Sequence, residues 1–479
     1  MTTLFISLFL IALGATAAVH AAATWWEGRT RRDTQVTTDP ASDHRLDKVA
    51  RTTRLGALVG AGVLLVGAFA AQAPAAVFAL IVLIFAFLRG TLAQLDQIAA
   101  QASREARLVT ALKGGTFGKA QMALFFSATD LAKPDHVYTW QNELDQVGEP
   151  WYCITVEPQH FRALRQEGRT PAILLPNLGL GPHLLPAGLK VLYFVNNAQK
   201  NRTVLKARPD LTHVQLLHGD SDKPPSYSPL TKNFDVVFVA GQMAIDRYPR
   251  NGVHIPEDRF RIVGRPQVAA IETKDPNATP SGAPRTVVYM PTWRGFFEDT
   301  QFSSLDRADA VICAVMALPE KVHLIFKPHP LSYKDPDWPA FKASITAVLG
   351  AKSAAGSTGE ISEGAAAPFD LYNQADLLIC DISSVMIDFL YSNKPFLTVL
   401  PKAFKEADRA NTPSLAASYE VASDLENLEA QLAASLGEDP LAAQRSDVRA
   451  QAFGDLDQAP GAAFREACLA LLAEDAPAS

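Results

Sequence analysis

The sequence predicts an α/β protein built from two doubly wound halves, preceded by an apolar N-terminal region. Three observations carry this expectation. Short, continuous apolar runs alternate with polar or helical stretches through the first part of the chain, the pattern of a parallel sheet covered on both faces. A segment rich in Pro, Thr, Ser, Gly and Ala, "ETKDPNATPSGAPR" at 272–285, then interrupts the alternation. Beyond it the alternation restarts, which implies a second sheet and a cleft between the two, with ligands at the carboxyl ends of the strands. At 479 residues and 48% hydrophobic content, the chain exceeds the usual ceiling for one core and can supply two.

The N-terminal elements come first in order. Residues 2–23 are almost wholly apolar, enough for one bilayer crossing at about 20 residues per span, so 1–25 reads as a transmembrane helix. No Lys or Arg precedes the run, whereas Arg29, Arg31 and Arg32 follow it, which favours a retained anchor over cleavage at "HAAATW". The basic loop 26–54 also holds Arg45, Lys48, Arg51 and Arg54, and the positive-inside rule assigns it to the cytoplasm. Residues 55–89, with Gln72 and Pro74 near the middle, read as one long transmembrane helix or a helical hairpin. The hairpin returns the rest of the chain to the cytoplasm. In 90–113 the apolar positions Leu92, Leu95, Ala99, Ala102, Ala106, Val109 and Leu112 recur every three or four residues, as in an amphipathic linker helix.

The first Rossmann-like half is placed at 114–271, with strands in "QMALFFS", "WYCITV", "AILLPN", "KVLYFV", "HVQLLH" and "DVVFVA", closed by "FRIVGRP". The linker 272–285 leads to the second half, 286–430, with strands in "TVVYM", "KVHLIF", "ADLLIC" and "PFLTVL". The low-complexity stretch 350–367 reads as a surface loop. From Val421 the tail reads as helical; in the terminal segment 431–479, "AAFREACLALLAE" is suited to pack back across the two halves.

Several function classes fall away. A net charge of −6 provides no basic face for duplex nucleic acid. Cys153, Cys313, Cys380 and Cys468 lie far apart, without a C-x-x-C pair, so neither zinc nor a disulfide framework is indicated. No cofactor is expected, since there is no G-x-G-x-x-G after the first strand, no Walker loop and no clustered metal ligands; a divalent cation carried on donor phosphates is compatible with that.

Four stretches carry chemistry, and each ends a predicted strand, so all four converge on one edge of the cleft. In "LLHGD", His218 follows the strand directly and Gly219 permits close backbone approach; an imidazole there is either a general base or a loop histidine that caps or hydrogen-bonds locally. In "VVYMPTWRG", Pro291 stops the strand and leaves Thr292 and Arg294 at its end, where a guanidinium can grip a phosphate or pair with a neighbouring acid. In "LIFKPHP", two prolines hold Lys327 and His329 in fixed directions, which suits an anionic ligand or makes simply a stiff turn with two exposed polar residues. In "DISSVMIDFLYSNKPF", Asp381 ends the strand and Ser383 and Ser384 open a helix, either as an anion cradle or as ordinary N-caps. Asp388, a turn further on, reads as support for the fold.

These four stretches resemble the CDP-glycerol glycerophosphotransferase family, which builds teichoic-acid-type polymers. The resemblance rests on His218-Gly219, "MPTWR" at 290–294, "KPHP" at 327–330 and "ADLLICDISSVMIDFLYSNKPF" at 375–396, with "FRIVGRP" similar to a G-x-P step near the domain junction, and it spans roughly 200–400. It implies a GT-B-like fold with an acceptor half followed by a nucleotide-donor half. It further implies that His218 deprotonates the acceptor hydroxyl for attack on the donor's β-phosphorus. Arg294, Lys327, His329, Ser383 and Ser384 would then hold the pyrophosphate, with Gly219, Thr292, Asp381 and Asp388 in support. The implied partners are CDP-glycerol or a related CDP-alcohol, a lipid-linked or polymeric acceptor, and the membrane. Two departures stand out: Asp220 and Asp222 follow His-Gly, where they would repel a polyphosphate acceptor, and Ile382 takes the place of an aromatic residue. The alternatives are a GT-B enzyme acting on a nucleotide sugar, either a glycosyltransferase or a UDP-sugar 2-epimerase-like protein, and a non-catalytic membrane scaffold.

Overall fold

The computed structural model describes residues 114–474 except 130, 176–177, 179–180, 275–282, 296–301, 352–354 and 365–367, together with 86–87, 89–94 and 112. The expected transmembrane segment 1–25, the basic loop 26–54, nearly all of the expected transmembrane segment 55–89 and most of the linker helix 90–113 lie outside these residues. Among the described residues, no helix is long and apolar enough to cross a membrane.

Two all-parallel sheets form the frame. The first contains β1 (Met122–Phe126), β2 (Trp151–Thr155), β3 (Ala172–Leu174), β4 (Val191–Phe194), β5 (Thr212–Gln215), β6 (Val236–Val239) and β7 (Phe260–Ile262), in the order β3-β2-β1-β4-β5-β6-β7. The second contains β8 (Arg285–Met290), β9 (Val322–Phe326), β10 (Thr358–Ile361), β11 (Leu377–Cys380), β12 (Phe396–Val399) and β13 (Tyr419–Val421), in the order β10-β9-β8-β11-β12-β13. Both orders reverse direction after the first strand, between β1 and β4 and between β8 and β11. Ligands of doubly wound sheets sit at such switch points. The arrangement is GT-B-like: two Rossmann-like sheets in one chain.

Alternation along the strands explains why each sheet has two cores. In β1, Met122, Leu124 and Phe126 face one helix layer, while Ala123 and Phe125 face the other. The second sheet divides in the same way, with Val288 and Met290 of β8 on one side and Val287 and Tyr289 on the other. Burial on both faces is what produces continuous apolar runs in place of alternating ones.

Two strands were not expected. β10 falls inside the stretch read as a surface loop, yet pairs in parallel with β9. Its burial alternates between exposed and half-buried, and Gly359 sits where a Cβ would collide with Leu349 and press on the Leu324 carbonyl, so this edge strand carries no apolar signal. β13 begins two residues before the tail read as helical, and its three residues are too few to announce a strand. The tail itself does return to the first half. In the helix Ala462–Ala473, Phe464, Cys468, Leu471 and Leu472 join the first half's core, and Phe464 stacks on Trp140 at 5.2 Å. The helix Ala442–Phe453 crosses the junction, where a Cβ on Gly241 would overlap the backbone of Gln451 and Ala452.

Candidate active site

At the second half's switch point, the segments after β8 and β11 are tied together by one carboxylate. Asp381 Oδ2 accepts backbone N–H bonds from Thr292 at 2.7 Å and Ser304 at 3.1 Å. Its other oxygen is buried without a partner, and burial raises the carboxyl to about 6 against those hydrogen bonds. Asp381 and Thr292 therefore act as scaffold for the loop edge. Ser383 follows in extended conformation as the N-cap of the helix Ser384–Leu390, but its hydroxyl caps nothing: Oγ is buried and unpartnered. An unsatisfied buried hydroxyl costs stability, so its retention needs a reason.

The first half brings His218 to the same place. Leu217, in left-handed conformation at φ 55, turns the chain sharply after β5. Its backbone is held on both sides, by Gln215 Oε1 on its N–H at 3.0 Å and by Trp140 Nε1 on its carbonyl at 2.6 Å. His218 Nδ1 then donates to the Val195 carbonyl at 2.9 Å, which leaves the lone pair on Nε2. The side chain is open along the cleft, yet protein atoms crowd the ring, so desolvation is the first cause holding its pKa below the ordinary 6.5, with Arg265 adding to it. A neutral imidazole with a free Nε2 is poised to take a proton.

One cavity of about 680 Å³ joins these parts, with His218, Gly219 and Lys223 from the first half and Ser384 and Asp388 from the second on its walls. A Cβ built on Gly219 would lie 3.8 Å from that of Ser384, so the two halves meet there at van der Waals range. Arg265, from the junction, bonds Asp388 through Nε and, at 3.1 Å, through Nη2. This pair fastens the helix Ser384–Leu390 to the first half.

His329 and Lys327 approach from the strand beside β8. His329 Nδ1 accepts from the Leu331 N–H at 3.1 Å, so the ring proton is on Nε2; burial, then Lys223, lowers its pKa to about 4. Lys327 donates to the Gly364 carbonyl at 2.6 Å, and burial lowers its pKa. Its ammonium holds the neighbouring loop and is not aimed at the cavity.

Two expectations need correction. Arg294 is not a free phosphate clamp: Nε and Nη2 grip Asp335 at 2.6 and 2.5 Å, and Nη2 also reaches Asp337 at 2.6 Å. It lines a separate 590 Å³ hollow instead of the cavity that holds His218. Its fork is filled by carboxylates supplied by the next loop, the commoner fate of a lone arginine. Asp220 and Asp222, expected to repel anions, are neutralised by Arg247, which is 1% exposed and donates to them at 2.5 and 2.9 Å. Ser414 from the second half also bonds Asp222, so this pair latches the loop and does not face the ligand space.

Two residues outside the expected set complete the site. Lys223 lies 4.9 Å from the Phe302 ring and is electrostatically coupled to both Asp381 and His329. It brings a first-half cation to the second half's switch point. Its sequence context, "SDKPP", suggested only a turn. His136 stacks on His218 with ring centroids 3.6 Å apart. It opens the helix Asp135–Gln146, some 80 residues earlier in the chain, so no local pattern connects the two.

The family described as CDP-Glycerol:Poly(glycerophosphate) glycerophosphotransferase matches residues 254–405. No curated protein matches the chain. Among solved structures, the wall teichoic acid polymerase TagF is 12% identical, with 79% of this chain and 94% of that one covered and a TM-score of 0.45. MurG of Acinetobacter baumannii is 12% identical over 73% and 99%, with a TM-score of 0.48. A UDP-N-acetylglucosamine 2-epimerase is 14% identical over 74% and 95%, again at 0.48. No functional weight rests on these structural likenesses. The matched segment contains Arg265 of the junction and, from the second half, the cavity residues Ser384 and Asp388 with Thr292, His329, Asp381 and Ser383 around them. Residues 254–405 thus carry the sequence pattern of the CDP-glycerol:poly(glycerophosphate) glycerophosphotransferase family.

Proposed function

We propose that this protein transfers glycerol phosphate, or a related polyol phosphate, from a CDP-alcohol to the hydroxyl of a cell-envelope polymer or lipid-linked acceptor, releasing CMP. The single observation that carries the reading is the shared cavity, whose walls hold His218 and Gly219 of the first half and Ser384 and Asp388 of the second, with Gly219 and Ser384 at van der Waals range. Nε2 of His218 takes the acceptor's proton as its oxygen attacks the donor's β-phosphorus. The bond from that phosphorus to the bridging oxygen breaks, and CMP leaves with the bond's electron pair. Lys223, the Nε2–H of His329 and the hydroxyls of Ser383 and Ser384 are the groups available to meet the charge that builds on the phosphate oxygens. Fixed donors of this kind supply most of the catalysis in phosphoryl transfer.

The apolar runs at 2–23 and 55–88 support a membrane-bound enzyme, and the basic loop between them, followed by a hairpin, supports a cytoplasmic location for its catalytic halves. The test is incubation of the full-length protein with CDP-glycerol, CDP-ribitol and UDP-sugars while the released nucleotide is followed. CMP from a CDP-alcohol is the expected product; turnover of a UDP-sugar alone would replace this reading with the nucleotide-sugar alternative.

A further inference from the structure

The last residue of β5, Gln215, lies behind the part of the cavity wall that Leu217, His218 and Gly219 form. Alternation sends Val214 into one core and Gln215 to the opposite face, level with Phe194 of β4, where it is wholly buried. An apolar side chain would suit that layer, and a buried amide is tolerated there only if its hydrogen bonds are made. They are made in full. Nε2 gives one hydrogen to the Asn196 carbonyl at 2.9 Å and the other to Asn197 Oδ1 at 3.0 Å, while Oε1 accepts the Leu217 N–H at 3.0 Å. The reversed amide would set its oxygen against the Asn196 carbonyl and its nitrogen against the Leu217 N–H, so the orientation is fixed.

Those bonds join the two features that aim His218. The first is the turn after β5. Leu217, at φ 55, is a non-glycine residue in the left-handed region, a conformation that persists only where its surroundings hold it. Gln215 holds its N–H, and Trp140 Nε1 holds its carbonyl at 2.6 Å. The second is the chain just past β4, where the Val195 carbonyl accepts from His218 Nδ1 at 2.9 Å and the next residue, Asn196, is the one that Gln215 bonds. Asn196 Nδ2 in turn donates to the Ser127 carbonyl, just past β1, at 2.8 Å. The imidazole is thereby tied to both strands of the first sheet's switch point.

We propose that Gln215, with Trp140 on the carbonyl side of Leu217, is a positioning residue for His218: it keeps Nδ1 on the Val195 carbonyl and the lone pair of Nε2 free for the acceptor's proton. A neutral imidazole released from that bond shares its proton between the two nitrogens, and the form protonated at Nε2 cannot accept from a hydroxyl. The proposal rests on the reading of His218 as the base. Gln215 meets no substrate, so its loss reaches the reaction through the ring alone.

The test is a double-substitution cycle on the full-length protein in detergent, with CDP-glycerol as donor and an octyl-tailed di(glycerophosphate) as the hydroxyl probe. CMP release is expressed per CDP-glycerol bound, so that unfolded protein does not count. Gln215→Leu should lower kcat by roughly tenfold to 10²-fold, the usual effect of a misplaced catalytic group, with the donor KM nearly unchanged. In a His218→Gln background the same substitution should change kcat by less than about twofold, because the group it acts through is already gone. Equal factors in the two backgrounds, or an undiminished kcat in folded Gln215→Leu, overturn the positioning role and leave the base reading standing. A wild type that releases no CMP, or a rate that survives His218→Gln, removes the base reading and this proposal with it. Should Gln215→Leu not fold, Trp140→Phe enters the same cycle under the same criterion, since it removes only the indole N–H from the Leu217 carbonyl and keeps a ring against Phe464.

Discussion

The imidazoles of His136 and His218 stack face to face, 3.6 Å apart and 3° from parallel. The two rings cannot both carry charge at that distance. Burial first, then His218 and His160, push His136 down to about 3. A ring that stays neutral under all working conditions thus covers one face of the proposed base and keeps water off it.

The base itself gives the first prediction. His218→Gln should lower turnover by roughly 10² to 10⁴, the usual worth of positioned proton transfer, with donor affinity retained. A stopped assay of CMP release, together with a donor-binding titration, reads both quantities.

The stack gives the second. Burial and then Arg265 hold the His218 pKa below 6.5, so the acid limb of kcat/KM should fall below that value in the wild type. Other charged groups around the ring, Asp388 and Lys223, stay in place on their own elements. His136→Ala admits water to one ring face, weakens desolvation and should move the limb up toward 6.5. His136→Phe keeps an aromatic cover and should leave the limb nearly in place. Identical profiles for the two variants would deny the stack any role in setting the titration.

Ser383 gives the third. Its Oγ is buried without a partner, so Ser383→Ala removes an unsatisfied group and should stabilise the fold by about 1 kcal/mol, while weakening use of the donor. Denaturant melts and the donor KM should move in these opposite senses. A residue kept only for packing would show no such trade.

Much of the site was legible in the sequence because strand ends are. His218, Thr292, His329, Asp381 and Ser383 each follow an apolar run that becomes a strand, and parallel strands deliver their carboxyl ends to one edge. What was not legible depends on who pairs with whom. The guanidinium of Arg294 could equally have met phosphate or acid; Asp335 and Asp337 arrive from a loop some 40 residues on and fill it. Asp220 and Asp222 looked like exposed charge until Arg247, in the helix Gln242–Arg250, buried them. Lys223 and His136 join the site only through tertiary contact, which leaves no trace in local spacing. β10 was hidden for a different reason: its close approach to Leu324 requires glycine, and glycine reads as loop.

Those pairings give the fourth prediction, a contrast between two arginines. Arg247→Leu strands two buried carboxylates and should cost about 3–5 kcal/mol. Arg294→Ala breaks a half-exposed pair and should cost no more than about 1 kcal/mol. It should also leave kcat/KM within about tenfold, because its charge is already spent on Asp335. Urea melts and donor kinetics on both variants test the contrast; a collapse of donor binding in Arg294→Ala would return that residue to the phosphate site.

Asp381 gives the fifth. Its folded pKa, raised by burial to about 6, lies above the ordinary 3.8, so the folded state binds this proton more tightly than the unfolded chain. The resulting stability is fully present below 3.8 and is lost as pH rises through 6. Asp381→Asn keeps an acceptor for the Thr292 and Ser304 N–H groups but does not titrate. Relative to the wild type it should gain up to about 3 kcal/mol between about pH 4 and 6. A constant difference across that range would contradict the burial of the carboxyl.

The most direct measurement follows the phosphorus. With CDP-glycerol labelled at the β-phosphate and a hydroxyl acceptor in a single turnover, the label should appear on the acceptor and none should remain with CMP. In His218→Gln the same transfer should slow by roughly 10² to 10⁴ with donor binding intact. Label retained on the nucleotide, or an undiminished rate without His218, would contradict attack on the β-phosphorus by an oxygen that this imidazole has deprotonated.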